Sequence, residues 1–261
     1  MTLRALLFDV DGTLADTERF GHRPAYNRAF HDLGLGFRWN PQLYRKLLAQ
    51  QGGRERLRHF LEHYRPDLGA HRAAADADVE RWIDEVHDLK TQYFQEYLRD
   101  GRVPLRPGVA RLIRQAQAEE IRVALVTNAS RGSLQPMLRY GLGPELAGSV
   151  DVIVCGEDVA RKKPDPEPYQ LALQRLGLRA SDCVALEDSW MGLTAAAAAG
   201  VATVITVNAN TADDDFDAAS LVLEHCGEPD LPSRILRGRL SGDYLTLNDL
   251  RQVRACWRAA A

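Results

Sequence analysis

Five short apolar runs, at 3–9, 121–127, 151–155, 182–187 and 201–207, are rich in Val, Ile, Leu and Ala and show little alternation of polar and apolar positions. A strand with one wet face alternates, whereas a strand covered on both faces does not. The runs therefore predict strands of a parallel sheet buried on both sides. Between them, over about 108–119, 166–176 and 191–200, the sequence reads as helix. Asp165-Pro166 predicts a helix start, with an aspartate N-cap and proline in the first helical position. Gly177 and Gly200 predict helix stops. Strand, helix and strand repeated in this way predict right-handed crossovers and a three-layer α/β domain.

Residues 16–100 have a different texture. Tyr26, Ala29, Phe30 and Leu33 fall on one helical stripe, and Val79, Trp82, Ile83, Val86, Leu89, Tyr93, Phe94 and Tyr97 trace a longer one. Asn40-Pro41 predicts the start of a helix between them, carrying Leu43, Leu47 and Leu48. With no strand pattern in this region, it predicts an all-helical domain over 16–103, inserted into an α/β core of 1–15 and 104–261. The outgoing link lies near 13–18 and the return link near 101–107. The stretch Leu240–Trp257 predicts a last helix with Leu247, Leu250, Val253 and Trp257 facing inward.

Composition narrows the class. A chain of 261 residues with formal net charge −3 and pI near 6.2 lacks the basic face that nucleic acid or a membrane surface would require. The opening apolar run, Leu3–Phe8, is too short for a membrane span and lacks the features of a secretory signal. Cys155, Cys183, Cys226 and Cys256 form no CxxC pair and read as reduced packing thiols. The expectation is a cytoplasmic monomer with neither nucleic-acid nor membrane partners.

The candidate chemistry sits where strands end. In Phe8-Asp9-Val10-Asp11-Gly12-Thr13-Leu14, two aspartates one residue apart close the first strand, so both would face one site. Open α/β sheets bind ligands at that carboxyl end. Thr127-Asn128 closes the second strand, Lys163 stands beside a capped helix start, and Glu187-Asp188 closes the fourth strand. Taken singly, each has a plainer reading: a turn, a loop start, a solvated lysine, a helix cap. Their order, and their shared place at strand ends, are much harder to obtain by chance.

Asp9-Val10-Asp11-Gly12-Thr13, Thr127, Lys163-Pro164 and Glu187-Asp188 resemble the four motifs of the haloacid dehalogenase-like superfamily, in order and across almost the whole chain. The resemblance implies a Rossmann-like core with a helical C1 cap over 16–103. It implies a phosphatase in which Asp9 is the nucleophile and Asp11 the general acid and base. Thr127, Asn128 and Lys163 would bind the phosphoryl group. Mg²⁺ would be held by the side chains of Asp9 and Asp188 and the backbone carbonyl of Asp11, with Glu187 nearby or acting through water. The physics agrees, because four converging carboxylates repel and raise one another's pKa until a divalent cation relieves them. Dehalogenases of the superfamily lack an acid at the position of Asp11, and P-type ATPases carry Lys-Thr after the nucleophile. Val10-Asp11 sets both aside.

For the substrate, Glu18, Gly52-Gly53-Arg54-Glu55-Arg56 and Thr211–Phe216 resemble the CbbY branch, which removes the C1 phosphate of xylulose 1,5-bisphosphate, a side product of Calvin-cycle carboxylation. Arg54 stands where that branch often has lysine, and the stretch around His22 is one residue longer. The expected partner is thus a small phosphorylated sugar, with Glu18, His22, Gly53, Arg54 and Arg56 as the cap's substrate residues. Arg54 and Arg56 could equally belong to a solvated basic helix start, and Asp213–Asp215 reads as a solvated acidic loop. Three alternatives remain open: a β-phosphoglucomutase-like mutase, a small-phosphate phosphatase such as one for phosphoglycolate, and a non-catalytic phosphate or metal sensor.

Overall fold

Every residue of β1 (Ala5–Phe8) is buried, which is what its unbroken apolar run demands. The computed structural model, which describes residues 2–50 and 52–257, sets β1 in a seven-stranded sheet. The other strands are β2 (Arg122–Val126), β3 (Val152–Val154), β4 (Cys183–Glu187), β5 (Ala202–Thr206), β6 (Leu221–Leu223) and β7 (Ile235–Arg237). Their order is β3-β2-β1-β4-β5-β6-β7. All neighbours are parallel except β6 and β7. The chain winds outward from β1 on both sides, so the crevice of this fold opens where β1 ends between β2 and β4.

The α/β unit comprises Met1–Asp16 and Pro104–Ala261. On one sheet face, Tyr169, Ala172, Leu173 and Leu176 of the helix Glu167–Leu176 pack with Ala5, Leu7, Ala124 and Val126. Each large side chain buried there contributes about 1.5–3 kcal/mol. The helix Trp190–Ala198 carries the alanine-rich segment, whose small side chains allow a close approach; Ala195 and Ala196 are fully buried.

Several details differ from the sequence reading. The helix begins at Glu167 with Pro166 in the cap position, although Asp165 Oδ1 still accepts from the Glu167 N–H at 3.0 Å. β6 and β7 have three residues each and are absent from the predicted strands; β7 is exposed throughout and set among arginines, so it carries no buried apolar run. The helical segments between Arg131 and Ala147 are hidden by Pro136, Gly141 and Gly143. The last helix spans only Leu247–Cys256, opened by a capping box of Thr246 and Asp249. Trp257 lies beyond it, and Val253 is half-buried.

The second unit, Thr17–Val103, consists of helices, chiefly Arg23–Asp32, Pro41–Leu47, Gly53–Tyr64 and Val79–Arg99. Its core is aromatic: Tyr26, Phe30, Tyr44 and Phe60 ring the fully buried Trp39 at centroid distances of 4.5–5.7 Å. The Asn27 side chain pins Trp39, accepting from its N–H at 2.7 Å and donating to its carbonyl at 2.9 Å. On the long stripe Val79 is exposed, Leu89 and Tyr93 are half-buried, and Lys90 is buried instead. The Lys90 ammonium lies 5.0 and 5.3 Å from the centroids of Tyr26 and Phe94, where ring faces attract it. Among the described residues, no helix is long and apolar enough to cross a membrane.

Candidate active site

At the carboxyl end of β1, Asp9 is held by the ladder (its N–H donates to Leu186 O at 3.0 Å). Its Oδ1 accepts from Lys163 Nζ at 2.8 Å, and the same ammonium donates to Glu187 Oε1 at 2.5 Å and to the Val126 carbonyl at 2.6 Å. Lys163 is 4% exposed and Glu187 0%, so these are desolvated, charge-assisted contacts. The Asn128 side chain fixes the lysine backbone at two points, accepting from the Lys163 N–H at 3.0 Å and donating to its carbonyl at 3.1 Å. Thr127 is buried at the end of β2, and its hydroxyl accepts from the Ala129 N–H at 3.0 Å.

Asp9, Glu187 and Asp188 offer carboxylate oxygens within 4.8 Å of one another. Asp11 is half-buried on the following turn, and its side chain is not one of this trio. Burial, reinforced by Glu187 and Asp11 against the pull of Lys163, raises Asp9 to about 7. Burial together with Asp9 and Glu187 pushes Asp188 well above the carboxylate range, opposed by Arg106 and Asn208. Burial would lower the Lys163 ammonium, but Asp9 and Glu187 outweigh it and hold it above its usual value.

Three residues absent from the sequence reading complete the surroundings. The Tyr169 hydroxyl donates to Glu187 Oε1; on a helix stripe it reads simply as core. Asn208 Nδ2, just past β5, donates to Asp188 Oδ2 at 2.6 Å. Arg106, in the return link, binds several backbone carbonyls. Asp214 and Asp215 are occupied locally, Asp214 accepting from the Trp190 N–H at 2.9 Å and Asp215 from the Asp217 N–H at 2.9 Å.

Within the helical unit, Glu18 accepts from the Tyr44 hydroxyl at 2.5 Å, which in turn accepts from Arg56 Nη1 at 3.1 Å. Arg56 is buried and also donates to the Leu47 carbonyl at 3.3 Å and the Gln50 carbonyl at 3.4 Å. Arg54 is half-exposed and pairs with Asp84 and Asp88. His22 lies 3.0 Å from Lys90 Nζ and stacks on Phe94 at 4.0 Å. Gly53 is closely overlaid: a Cβ there would lie 2.5 Å from His87 Nε2 and 2.7 Å from the Tyr26 hydroxyl, so one of those side chains would have to shift. Burial, with the charges of Lys90 and Arg54 nearby, lowers His87 to about 4.

Comparison with known proteins bears on this arrangement. Residues 3–200 match the haloacid dehalogenase-like hydrolase family. The protein CbbY (plasmid) of Cupriavidus necator is 43% identical over 230 residues, 88% of each chain. The phosphorylated carbohydrates phosphatase of Thermotoga maritima is 30% identical over 208 residues, covering 78% of this chain and 85% of its own. The crystal structure of a CbbY mutant from Rhodobacter sphaeroides in complex with xylulose-(1,5)bisphosphate superposes with a TM-score of 0.73 at 37% identity. That match covers 86% of this chain and 95% of the other.

Proposed function

We infer that this chain, which belongs to the haloacid dehalogenase-like hydrolase family and is a phosphatase of that family, dephosphorylates a small phosphorylated sugar through a phospho-Asp9 intermediate. The observation that carries this reading is Asp9 at a buried strand end, contacting Lys163 and grouped with Glu187 and Asp188. In the first half-reaction, a bond forms from Asp9 oxygen to phosphorus as the ester P–O bond breaks. The bond's electron pair stays on the leaving oxygen, which takes the proton of Asp11. In the second, a water oxygen attacks phosphorus, the bond to Asp9 breaks, and the water's proton passes to Asp11. Thr127, the Asn128 N–H and Lys163 neutralise the phosphoryl oxygens.

The carboxylate cluster fits a hard divalent cation. The one ammonium contacts only Asp9 and Glu187 of the three carboxylates, Asp9 and Asp188 are both pushed toward protonation, and Glu187 Oε2 is buried without a hydrogen-bond partner. Asp9, Asp188 and the Asp11 carbonyl would hold Mg²⁺, with Glu187 beside it. When bound, the ion offsets the negative charge gathered by the carboxylates and the phosphoryl group.

A pH signature follows from Asp9. A carboxyl raised to about 7 in the fold contributes stability that is fully present below its unfolded value and lost as pH rises through 7. A cation must displace that proton below pH 7 and need not above it. The rise in Tm on adding Mg²⁺ is therefore expected to grow between pH 5.5 and 7.5. A shift independent of pH would remove proton–cation competition at Asp9.

We propose xylulose 1,5-bisphosphate, converted to xylulose 5-phosphate, as the substrate, supported by the likeness to CbbY proteins. Glu18 and His22 would face sugar hydroxyls, Gly53 would let the backbone come close, and Arg54 and Arg56 would take the second phosphate. An exposed ion pair is worth at most about 1 kcal/mol, so Arg54 can leave Asp84 cheaply. In steady-state kinetics on a panel of sugar mono- and bisphosphates, this ester is expected to have the highest kcat/KM. R54A, R56A and E18A should each lower that value about tenfold to a hundredfold, while p-nitrophenyl phosphate hydrolysis changes little. A different preferred ester would overturn the substrate. Equal losses on both esters would assign these residues to holding the helical unit together.

A further inference from the structure

Arg106 stands where the chain re-enters the α/β unit, and its guanidinium is ringed by neutral oxygens. Nη1 donates to the Gly12 carbonyl, to the Thr206 carbonyl at 2.8 Å and to the Thr206 hydroxyl at 3.2 Å; Nη2 donates to the carbonyls of Val207 at 2.6 Å and Glu224 at 2.5 Å. Its backbone N–H donates to the Leu14 carbonyl at 2.8 Å. One side chain thus ties the turn after β1 to the ends of β5 and β6. None of these acceptors is a carboxylate, so the fork spends its hydrogen bonds on backbone geometry, while its charge acts on Asp188 without a hydrogen bond among those described.

The opposite side of the same turn is also fixed. Gly12 has φ +99°, and a Cβ there would lie 2.1 Å from Asp188 Oδ2 and 2.8 Å from Asn208 Nδ2. Gly12 is wedged between the Arg106 fork and the Asp188–Asn208 pair, and Asp11 is the residue immediately before it. We propose that Arg106 is a positioning residue that holds the Asp11–Gly12 turn, so that the Asp11 carboxyl meets the leaving oxygen in line. This rests on the acid–base role given to Asp11 above. Lysine cannot substitute: it has one ammonium, whereas the planar arginine fork reaches separated carbonyls at once.

The test exploits leaving groups. p-Nitrophenolate departs without a proton, whereas a sugar alkoxide needs one, so a misplaced acid slows the first half-reaction selectively. Its rate is read by rapid quench as the burst of released alcohol or phenol. The substrates are p-nitrophenyl phosphate and xylulose 1,5-bisphosphate, or whichever sugar phosphate the wild type uses best. D11N is expected to slow the sugar burst about a thousandfold and the aryl burst about tenfold or less. R106K should slow the sugar burst about thirtyfold and the aryl burst about threefold or less, a smaller version of the same split. Unfolding of part of the sample reduces both amplitudes equally and cannot create a split. If R106K does not accumulate in folded form, T206V, which removes one of the acceptors, should give about a threefold split. Equal losses on both substrates, or none, in R106K and T206V while D11N splits them would reduce Arg106 to a brace of the fold. No split in D11N would overturn the role of Asp11 itself.

Discussion

Asp9→Asn is expected to leave a folded protein whose turnover falls by roughly four orders of magnitude or more, since the groups of a nucleophilic unit fail together. Asparagine matches aspartate in shape, and Lys163 keeps Glu187 and the Val126 carbonyl as acceptors, so the pocket need not collapse. The amide oxygen cannot form the covalent phospho-intermediate, which removes the first half-reaction altogether. Labelling with a ³²P ester provides the second reading: wild-type enzyme quenched in acid should retain an acid-stable, alkali-labile phosphate, and D9N none. Turnover within tenfold of wild type, or label retained by D9N, would move the nucleophile elsewhere.

Removal of divalent cations is expected to abolish hydrolysis, with Mg²⁺ restoring it. Asp188→Ala should shift the Mg²⁺ requirement upward by at least about a hundredfold or eliminate turnover. Asp188 is buried and held by Asn208, and Gly12 packs on it, so its loss also loosens the turn that carries Asp11. Calorimetric titration with Mg²⁺ separates the two effects, because a variant that binds the ion normally yet turns over slowly has lost only geometry. Full activity in excess chelator would leave the three-carboxylate cluster without a cation to hold.

What could be read from the sequence is what the chain writes locally. β1, β2, β4 and β5 announce themselves as apolar runs, and Asp9, Thr127, Glu187 and Asp188 stand at or just past their last residues, so alignment in one sheet gathers them at one end. Lys163 was legible beside a helix start; what the sequence does not state is that its ammonium turns back between Asp9 and Glu187. Residues whose partners are backbone carbonyls stay silent. Arg106 binds Gly12, Thr206, Val207 and Glu224, and no side-chain pattern marks a carbonyl as an acceptor. Lys90 breaks the apolar stripe in sequence yet is buried in the fold, because aromatic faces can surround an ammonium as aliphatic ones cannot. In the helical unit, Tyr44 links Glu18 to Arg56, a connection between three elements that periodicity does not encode.

The position of β1 between β2 and β4 also has a temporal side. Phe8 pairs with Leu125 and Leu186, so the central strand is made before either neighbour and can take its place only after more than a hundred further residues have been made. At about 5–20 residues per second, that is a wait of roughly ten seconds. During it, a four-residue strand of Ala, Leu, Leu and Phe is exposed with no neighbour on either edge. The intervening Thr17–Val103 segment has its own aromatic core and can fold meanwhile. Synthesis order thus leaves the strand that leads into Asp9 waiting without partners on the nascent chain, and the segment that delays its pairing is the helical insertion.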